Sequence, residues 1–383
     1  MNKTIEIGFL FPYSSIFPQM SQEIIDGFFS VVPAAQKNQF QFYPEYVDLG
    51  QTENVKTAFN KLVSFQNVDI MSGIISYKLL PDIVQLLGWR QKLGFFFDMG
   101  EYVPLEESLP APVFFNSVEL WQDEYALGNW AQKTFGGKGA ILMSTYDAGY
   151  HLHSSFWQGA IEAGAEEIDV HTLPYIDSIP SSITPILPLF FKKIEDAKAD
   201  FLHALFCGNE TYEFYHAFRN SRLYKKIPLV VSPHMSTREV LSKTKTLNIS
   251  CYSTTGWDFS PQQPLIKNYE NTYGKQASIF AVMGIEMGIA MHEILPKLEK
   301  GDTEAAAKIL RNNTFNGPRG NRTFHLEKRS NNCIINIEKL SSQNLGTSRL
   351  TVGEFKSQFT DHTNIFSVHA QAESGWKNPY LCV

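Results

Sequence analysis

The sequence predicts an α/β protein built as two doubly wound, Rossmann-like lobes. Three observations carry that expectation. Short apolar runs alternate with amphipathic helical stretches from residue 5 onward, the pattern of βαβ units and a parallel sheet. The alternation pauses at Leu109-Pro110-Ala111-Pro112 and then restarts. The 383 residues also exceed what one hydrophobic core comfortably organises.

The elements follow in order. Ile5 to Phe11 is an apolar run that reads as the first strand, and Ile24, Ile25, Phe28, Phe29 and Val32 recur at helical spacing. Phe40 to Val47 is a second strand, and Glu53 to Phe65 a helix with Val55, Phe59, Leu62 and Val63 on one side. Ile70 to Ile75 and Phe95 to Phe97 have the continuous apolar character of buried parallel strands. Between them Leu79, Leu80, Ile83, Val84, Leu86 and Leu87 make a helix, with Pro81 in its first turn, where a missing N–H costs nothing. A right-handed βαβ crossover puts Ser76-Tyr77 and Asp98-Met99-Gly100 side by side on one sheet edge.

After the Pro112 punctuation, helices are expected over 121–135, 152–163, 184–198, 211–222 and 237–244. Strands are expected over 139–144, 168–173, 201–206, 227–231 and 249–254. Two helices follow in succession, 278–298 and 303–312, then a turn cluster at 316–320 and strands over 321–327 and 333–340. The last ~40 residues are mixed and polar, with no clear period.

Composition narrows the function classes. Hydrophobic residues at 43% and charged residues at 19% describe an ordinary globular chain. A formal charge of −6 offers no basic patch for nucleic acid and no polybasic membrane signal. No apolar run approaches the ~18 residues of a membrane helix. The four cysteines, Cys207, Cys251, Cys333 and Cys382, are far apart without a CxxC pair. They read as isolated buried thiols, with one bridge as the alternative. Met1 to Thr4 lead straight into the first strand without a signal-peptide pattern. Either a leader has been replaced by a start Met or there never was one.

Enzyme signatures are missing. There is no G-x-S-x-G elbow, H-E-x-x-H pair or phosphate-binding P-loop, and Gly136 to Gly139 lie at a helix end before a strand, the wrong context for phosphate. His151 and His153 read as exposed helix-start histidines, and Glu166-Glu167 as a solvated pair. No catalysis, cofactor or metal is expected.

The layout resembles the type 1 periplasmic-binding-protein family, specifically its receptors for branched-chain amino acids, amides and urea. The residues that carry the resemblance are the βαβ unit with Gly73-Ile74-Ile75-Ser76, the stretch Lys138 to Leu142 through Asp147-Ala148-Gly149, and Ala199-Asp200-Phe201 through Cys207-Gly208-Asn209. The most specific is Phe315-Asn316-Gly317-Pro318-Arg319-Gly320 followed by Phe324, similar to an F-x-G-x-x-G…F hairpin; Trp376 to Tyr380 also resembles tails of the amide and urea branch. The resemblance implies two lobes joined by a three-segment hinge. One lobe would comprise residues 1–118 plus 255–331, the other 119–254 plus 332–383, with a ligand cleft between them. It further implies a solute-binding protein of an ABC-type uptake system, working with permease subunits as a monomer or weak dimer in the periplasm. A cytoplasmic ligand-sensing regulator is the alternative.

In such a fold the site is built from loops after strand ends. Those loops hold Tyr13, Ser14, Ser76, Tyr77, Asp98, Met99 and Gly100 in the first lobe, and Tyr146, Tyr150, Cys207, Asn209 and His234 in the second. Trp257 lies near a crossover. Small residues let backbone N–H groups approach a ligand oxygen, Asp98 offers a carboxylate, and the aromatic residues supply apolar faces with polar tips. Two departures from the family stand out: the Asp98 loop has no Ser or Thr, and His234 stands where an acid is expected. They make an amide-like, aromatic or otherwise less zwitterionic ligand at least as fitting as an amino acid.

Overall fold

The structure is a computed structural model that describes residues 3–104, 112–175, 182–257, 259–260, 262–325, 333–343, 346–357 and 365. Leu109 to Ala111, Trp376 to Tyr380 and Cys382 lie outside the described residues.

The first sheet gathers β1 (Ile5–Phe11), β2 (Phe40–Tyr46), β3 (Ile70–Ile74), β4 (Leu93–Asp98) and β5 (Val113–Ser117). Its order is β2-β1-β3-β4-β5 and every pairing is parallel. Helices α1 (Met20–Val31), α2 (Thr52–Asn60) and α3 (Leu80–Arg90) connect its strands. The chain then passes into α4 (Leu120–Phe135), β6 (Gly139–Met143), α5 (Leu152–Glu162), β7 (Ile168–Thr172), α6 (Leu187–Asp196), β8 (Phe201–Leu205), α7 (Asn209–Arg219), β9 (Leu229–Val231), α8 (Arg238–Thr244) and β10 (Ser250–Thr254). The third block holds α9 (Pro264–Tyr273), α10 (Ile279–Leu298), α11 (Thr303–Asn312), β11 (Phe315–Gly317), β12 (Gly320–Arg322), β13 (Cys333–Gln343) and β14 (Gly346–Ser357).

The second sheet runs β14-β13-β10-β9-β8-β6-β7. Its parallel part repeats the second-first-third-fourth-fifth order of the first sheet. The hairpin β13–β14 then adds on antiparallel to β10. The chain therefore crosses between sheets after β5, after β10 and between β12 and β13, which is the three-segment hinge.

Each lobe closes one pair of helices by direct backbone approach. A Cβ on Gly27 of α1 would stand 2.1 Å from the Ala281 carbonyl oxygen of α10, and one on Gly128 of α4 would stand 1.9 Å from that of Phe156 on α5. Helix α10 is long and apolar enough to cross a membrane, but 78% of its most apolar window is buried inside the fold. It is a core helix, buried along most of its length, with His292 and Glu293 on its exposed side.

The hairpin β11–β12 turns at Pro318-Arg319 and sends Arg319 under the first crossover. Its Nη2 lies 2.6 Å from Glu286 Oε2 of α10 and 2.6 Å from Asn116 Oδ1, while Nη1 donates to the Ser117 carbonyl at 3.1 Å. Burial alone would raise the Glu286 carboxyl, yet the Arg319 charge holds it below its usual value.

Several elements differ from expectation. Strand β5 and helix α9 were not anticipated. β5 is a five-residue apolar run hidden behind Pro112, and α9 is a mostly exposed helix with only Ile266 and Tyr269 buried. Of the strand expected over 321–327, the described residues show Gly320–Arg322; Phe324 packs against Phe95 and Phe315, its carbonyl accepts from the Phe115 N–H of β5 at 2.9 Å, and 326 and 327 lie outside the described residues. Part of the polar tail is β14, a twelve-residue edge strand.

Candidate functional site

The first sheet reverses its strand order between β1 and β3, the second between β6 and β8. Ligands in open α/β sheets gather outside the strand carboxyl ends at such a reversal. The loops there belong to both lobes and touch across the interface.

In the first lobe, Ser14 is buried and its Oγ accepts from the Phe17 N–H at 2.8 Å. Tyr13 is 48% exposed. Ser76 is fully buried and caps the turn Tyr77–Leu79, accepting from the Lys78 N–H at 3.3 Å. The half-buried Tyr77 ring lies 6.2 Å from Phe115. Asp98 ends β4, buried, with Oδ1 accepting from the Gly100 N–H at 3.2 Å. Met99 is buried and its N–H donates to Glu101 Oε2 at 3.1 Å. Gly100 has φ +67°, and a Cβ there would stand 2.5 Å from Glu119 Cα, so the hinge packs directly on it.

Glu101 is the most perturbed group on this wall. Its second carboxyl oxygen is buried and has no hydrogen-bond partner among the described residues. Burial, with the neighbouring Asp98 charge, pushes its pKa up to about 8. Lys78 stands with its ammonium 3.8 Å from the Tyr102 ring centroid, and burial lowers its pKa.

In the second lobe, the rings of Tyr146 and Tyr150 lie 5.5 Å apart, and Tyr150 is 5.6 Å from Tyr102 of the first lobe. Asp147, fully buried, accepts from Ser144 Oγ at 2.7 Å and from the Cys207 thiol at 3.1 Å. Burial pushes its carboxyl up to about 6. Cys207 Sγ is 3.5 Å from His234 Nε2, and His234 Nδ1 is 3.0 Å from Ser232 Oγ. Burial drives His234 down to about 4, so it is neutral at ordinary pH. Burial, and after it the charge of Asp147, pushes Glu210 up to about 7. Asn209 is exposed and donates along its own helix to Glu213 at 2.9 Å. Trp257 is buried against His234 at 6.1 Å and Phe17 at 6.1 Å.

The structure thus gathers Tyr102, Tyr146 and Tyr150 in one cluster of rings, and Asp147, Cys207, His234 and Trp257 in a second cluster. Beside Trp257 a cavity of about 400 Å³ opens between the lobes, walled by Phe17, Phe259 and Phe280 with Arg238 and Glu239 at its polar side. That volume lies within the range of small-molecule sites.

His151 corrects a sequence expectation. It is buried, not exposed: its N–H donates to the Glu101 carbonyl at 2.9 Å and its Nδ1 accepts from the Val103 N–H at 3.1 Å. The opposite lobe covers it. Sequence reasoning placed Asp147 in a site loop without giving it a role, and passed over Phe17, Lys78, Glu101 and Tyr102. Their one available signal was position close after a strand end, since an acid or lysine in a polar loop otherwise reads as solvated.

The model of the periplasmic binding protein family matches residues 4–337, and the chain belongs to that family. No curated protein matches the sequence closely enough to count as a relative. Among solved structures the chain resembles an ABC transporter substrate-binding protein from Sphaerobacter thermophilus, with 18% identity and TM-score 0.75 over 93% of this chain and 99% of that one. It also resembles a solute-binding protein of an ABC transporter from R. palustris in complex with benzoate, with 17% identity and TM-score 0.68 over 92% and 97% of the chains. A third is an ABC transporter substrate-binding protein from Desulfitobacterium hafniense in complex with Leu, with 14% identity and TM-score 0.61 over 91% and 100%. At these identities the likeness shows the fold: that of ABC transporter substrate-binding proteins.

Proposed function

We propose that this protein is the solute-binding component of an ABC-type uptake system, that it captures one small molecule between its lobes, and that it presents the closed form to permease subunits on the periplasmic side of a membrane. The lobes of this reading are residues 1–118 plus 255–331 and residues 119–254 plus 332–383. The observation that carries it is the concentration of buried polar groups where the loops of the two lobes meet. Asp98, Glu101, Asp147, Cys207 and His234 are each less than 9% exposed, at strand ends of two different sheets. Perturbed groups of this kind cluster at functional sites, and one Glu101 carboxyl oxygen is buried with no hydrogen-bond partner among the described residues.

The solute is an amino acid, amide or related compound. Carboxyl oxygens from both walls are acceptors for N–H donors, and the tyrosines with Trp257 supply flat apolar faces. Each charge-assisted hydrogen bond contributes about 1.5–3 kcal/mol. Neighbours of the same fold that bind benzoate or leucine put both aromatic acids and amino acids in the test panel. Thermal unfolding against amino acids, amides, urea and aromatic acids tests the proposal. A true solute at 100 times its dissociation constant stabilises the fold by about 2.7 kcal/mol. A flat response across the whole panel, with the protein folded, contradicts it.

A further inference from the structure

Three potential metal ligands converge in the second lobe from three different strand ends. Asp147 follows β6, Cys207 follows β8 and His234 follows β9, and their ligand atoms all lie within 4.8 Å of one another, all buried. In a tetrahedral zinc centre, bonds of about 2.3 Å to sulfur and about 2.0–2.1 Å to nitrogen or oxygen put neighbouring ligand atoms about 3.6 Å apart. Here Cys207 Sγ lies 3.5 Å from His234 Nε2 and 3.1 Å from Asp147 Oδ1. The first edge is thus at the required length, and the second, now a thiol–carboxylate hydrogen bond, has to open by about half an ångström as the metal replaces the thiol proton.

The outer groups fit as well. His234 Nδ1 sits 3.0 Å from Ser232 Oγ, and in the tautomer that carries its N–H there the hydroxyl accepts it and the Nε2 lone pair faces Cys207. Asp147 Oδ2 accepts from Ser144 Oγ at 2.7 Å, which fixes the carboxylate while Oδ1 points at the sulfur. Metal-binding imidazoles and carboxylates are oriented by just such second partners.

We propose that Asp147, Cys207 and His234 form a binding site for a divalent transition-metal ion of the zinc class. The imidazole, carboxylate and thiolate supply three ligands. The thiol proton is released to solvent as the metal–sulfur bond forms, and the thiolate and carboxylate charges balance the ion. Three protein ligands leave a fourth position for water or for a donor atom of a solute. The site takes three of the five buried groups on which the solute-binding reading rests, so metal binding is tested apart from any solute.

The test is calorimetric titration of chelator-treated protein with Zn2+ alone, and with Co2+ as a spectroscopic reporter. One ion per chain is expected, with cobalt–thiolate charge-transfer absorption. Cys207→Ser and His234→Ala are each expected to weaken binding at least about a hundredfold, and Ser232→Ala by about 10–100-fold. His216→Ala, exposed on α7, is expected to leave binding unchanged. Asp147→Asn keeps the side-chain shape and serves where another variant unfolds, with circular dichroism verifying the fold of each. Wild-type protein that stays folded and binds neither ion at micromolar concentration overturns the proposal, as does undiminished binding in both Cys207→Ser and His234→Ala. Solute binding is measured separately, with and without Zn2+: solute bound by protein that takes up no metal removes only the metal site, and metal taken up by protein that binds no solute of the panel removes only the uptake function.

Discussion

The backbone N–H of His151 donates to the carbonyl of Glu101 at 2.9 Å, joining the loop after β4 in one lobe to the loop after β6 in the other. A second bond, from the Val103 N–H to His151 Nδ1 at 3.1 Å, doubles the latch. The Tyr102 ring stands edge-on to the imidazole, 5.1 Å away. The lobes are therefore held together by groups that emerge from the same loops that form the candidate site.

The latch predicts a defect in closure. His151→Ala removes the acceptor for the Val103 N–H but leaves the backbone bond in place. Stranding a buried donor costs about 1–3 kcal/mol, a loss expected in the unfolding temperature of the free protein and, where the same contact persists with solute bound, in solute affinity as well. Calorimetry paired with thermal unfolding checks this, and an unchanged affinity would remove the latch from the closed state.

Glu101 predicts a pH dependence. Its folded pKa, about 8, lies above its ordinary value of 4.5, so the folded state holds the proton more tightly than the unfolded chain does. Its contribution to stability is complete below pH 4.5 and is lost as pH rises through about 8. The groups that face it are Asp98, which adds to the shift, Lys78, which opposes it, and the Met99 N–H, which also opposes it. The difference in stability between wild type and Glu101→Gln should thus change by a few kcal/mol over that range, in order of magnitude. Denaturant melts at several pH values measure it, and parallel curves for the two proteins would contradict the assignment.

Arg319 and Glu286 predict a stability effect at the hinge. Both side chains are 5% exposed or less. Arg319→Met leaves Glu286 buried without its cation and is expected to cost about 3–5 kcal/mol. Arg319→Lys keeps the charge but loses the fork that reaches Asn116 and Ser117 together, so an intermediate loss is expected. Equal stability of Arg319→Met and wild type would show that the pair is not a clamp.

Gly100 predicts strain at the first crossover. Its φ of +67° and the 2.5 Å approach to Glu119 Cα leave no room for a Cβ. Gly100→Ala is expected to destabilise by about 1–3 kcal/mol. Urea unfolding measures this, and a neutral result would mean that the crossover shifts freely.

The sequence made the scaffold legible where burial is two-sided. β3 and β4 are apolar at nearly every position because helices cover both sheet faces, and the helix between them shows its period. β14 was not legible because Gly346–Ser357 is an edge strand with alternating polar residues. The loops of the candidate site could be named from topology alone, since strand order decides which ends cluster. Their inner chemistry could not. Asp147 stands 60 residues before Cys207, and Cys207 27 before His234, so no local spacing announces that the three meet. His151 looked exposed because residues distant in sequence, Glu101 to Val103 of the other lobe, pack against it.

The central claim is that a solute is held between two lobes, and calorimetry on one variant from each wall tests it most directly. With the best solute of the panel, wild-type protein should bind one molecule per chain. Asp98→Asn in the first lobe and Tyr146→Ala in the second should each weaken that binding about tenfold or more while the protein remains folded, a loss of about 1.4 kcal/mol. Binding that responds to one wall and ignores the other would contradict capture between the lobes.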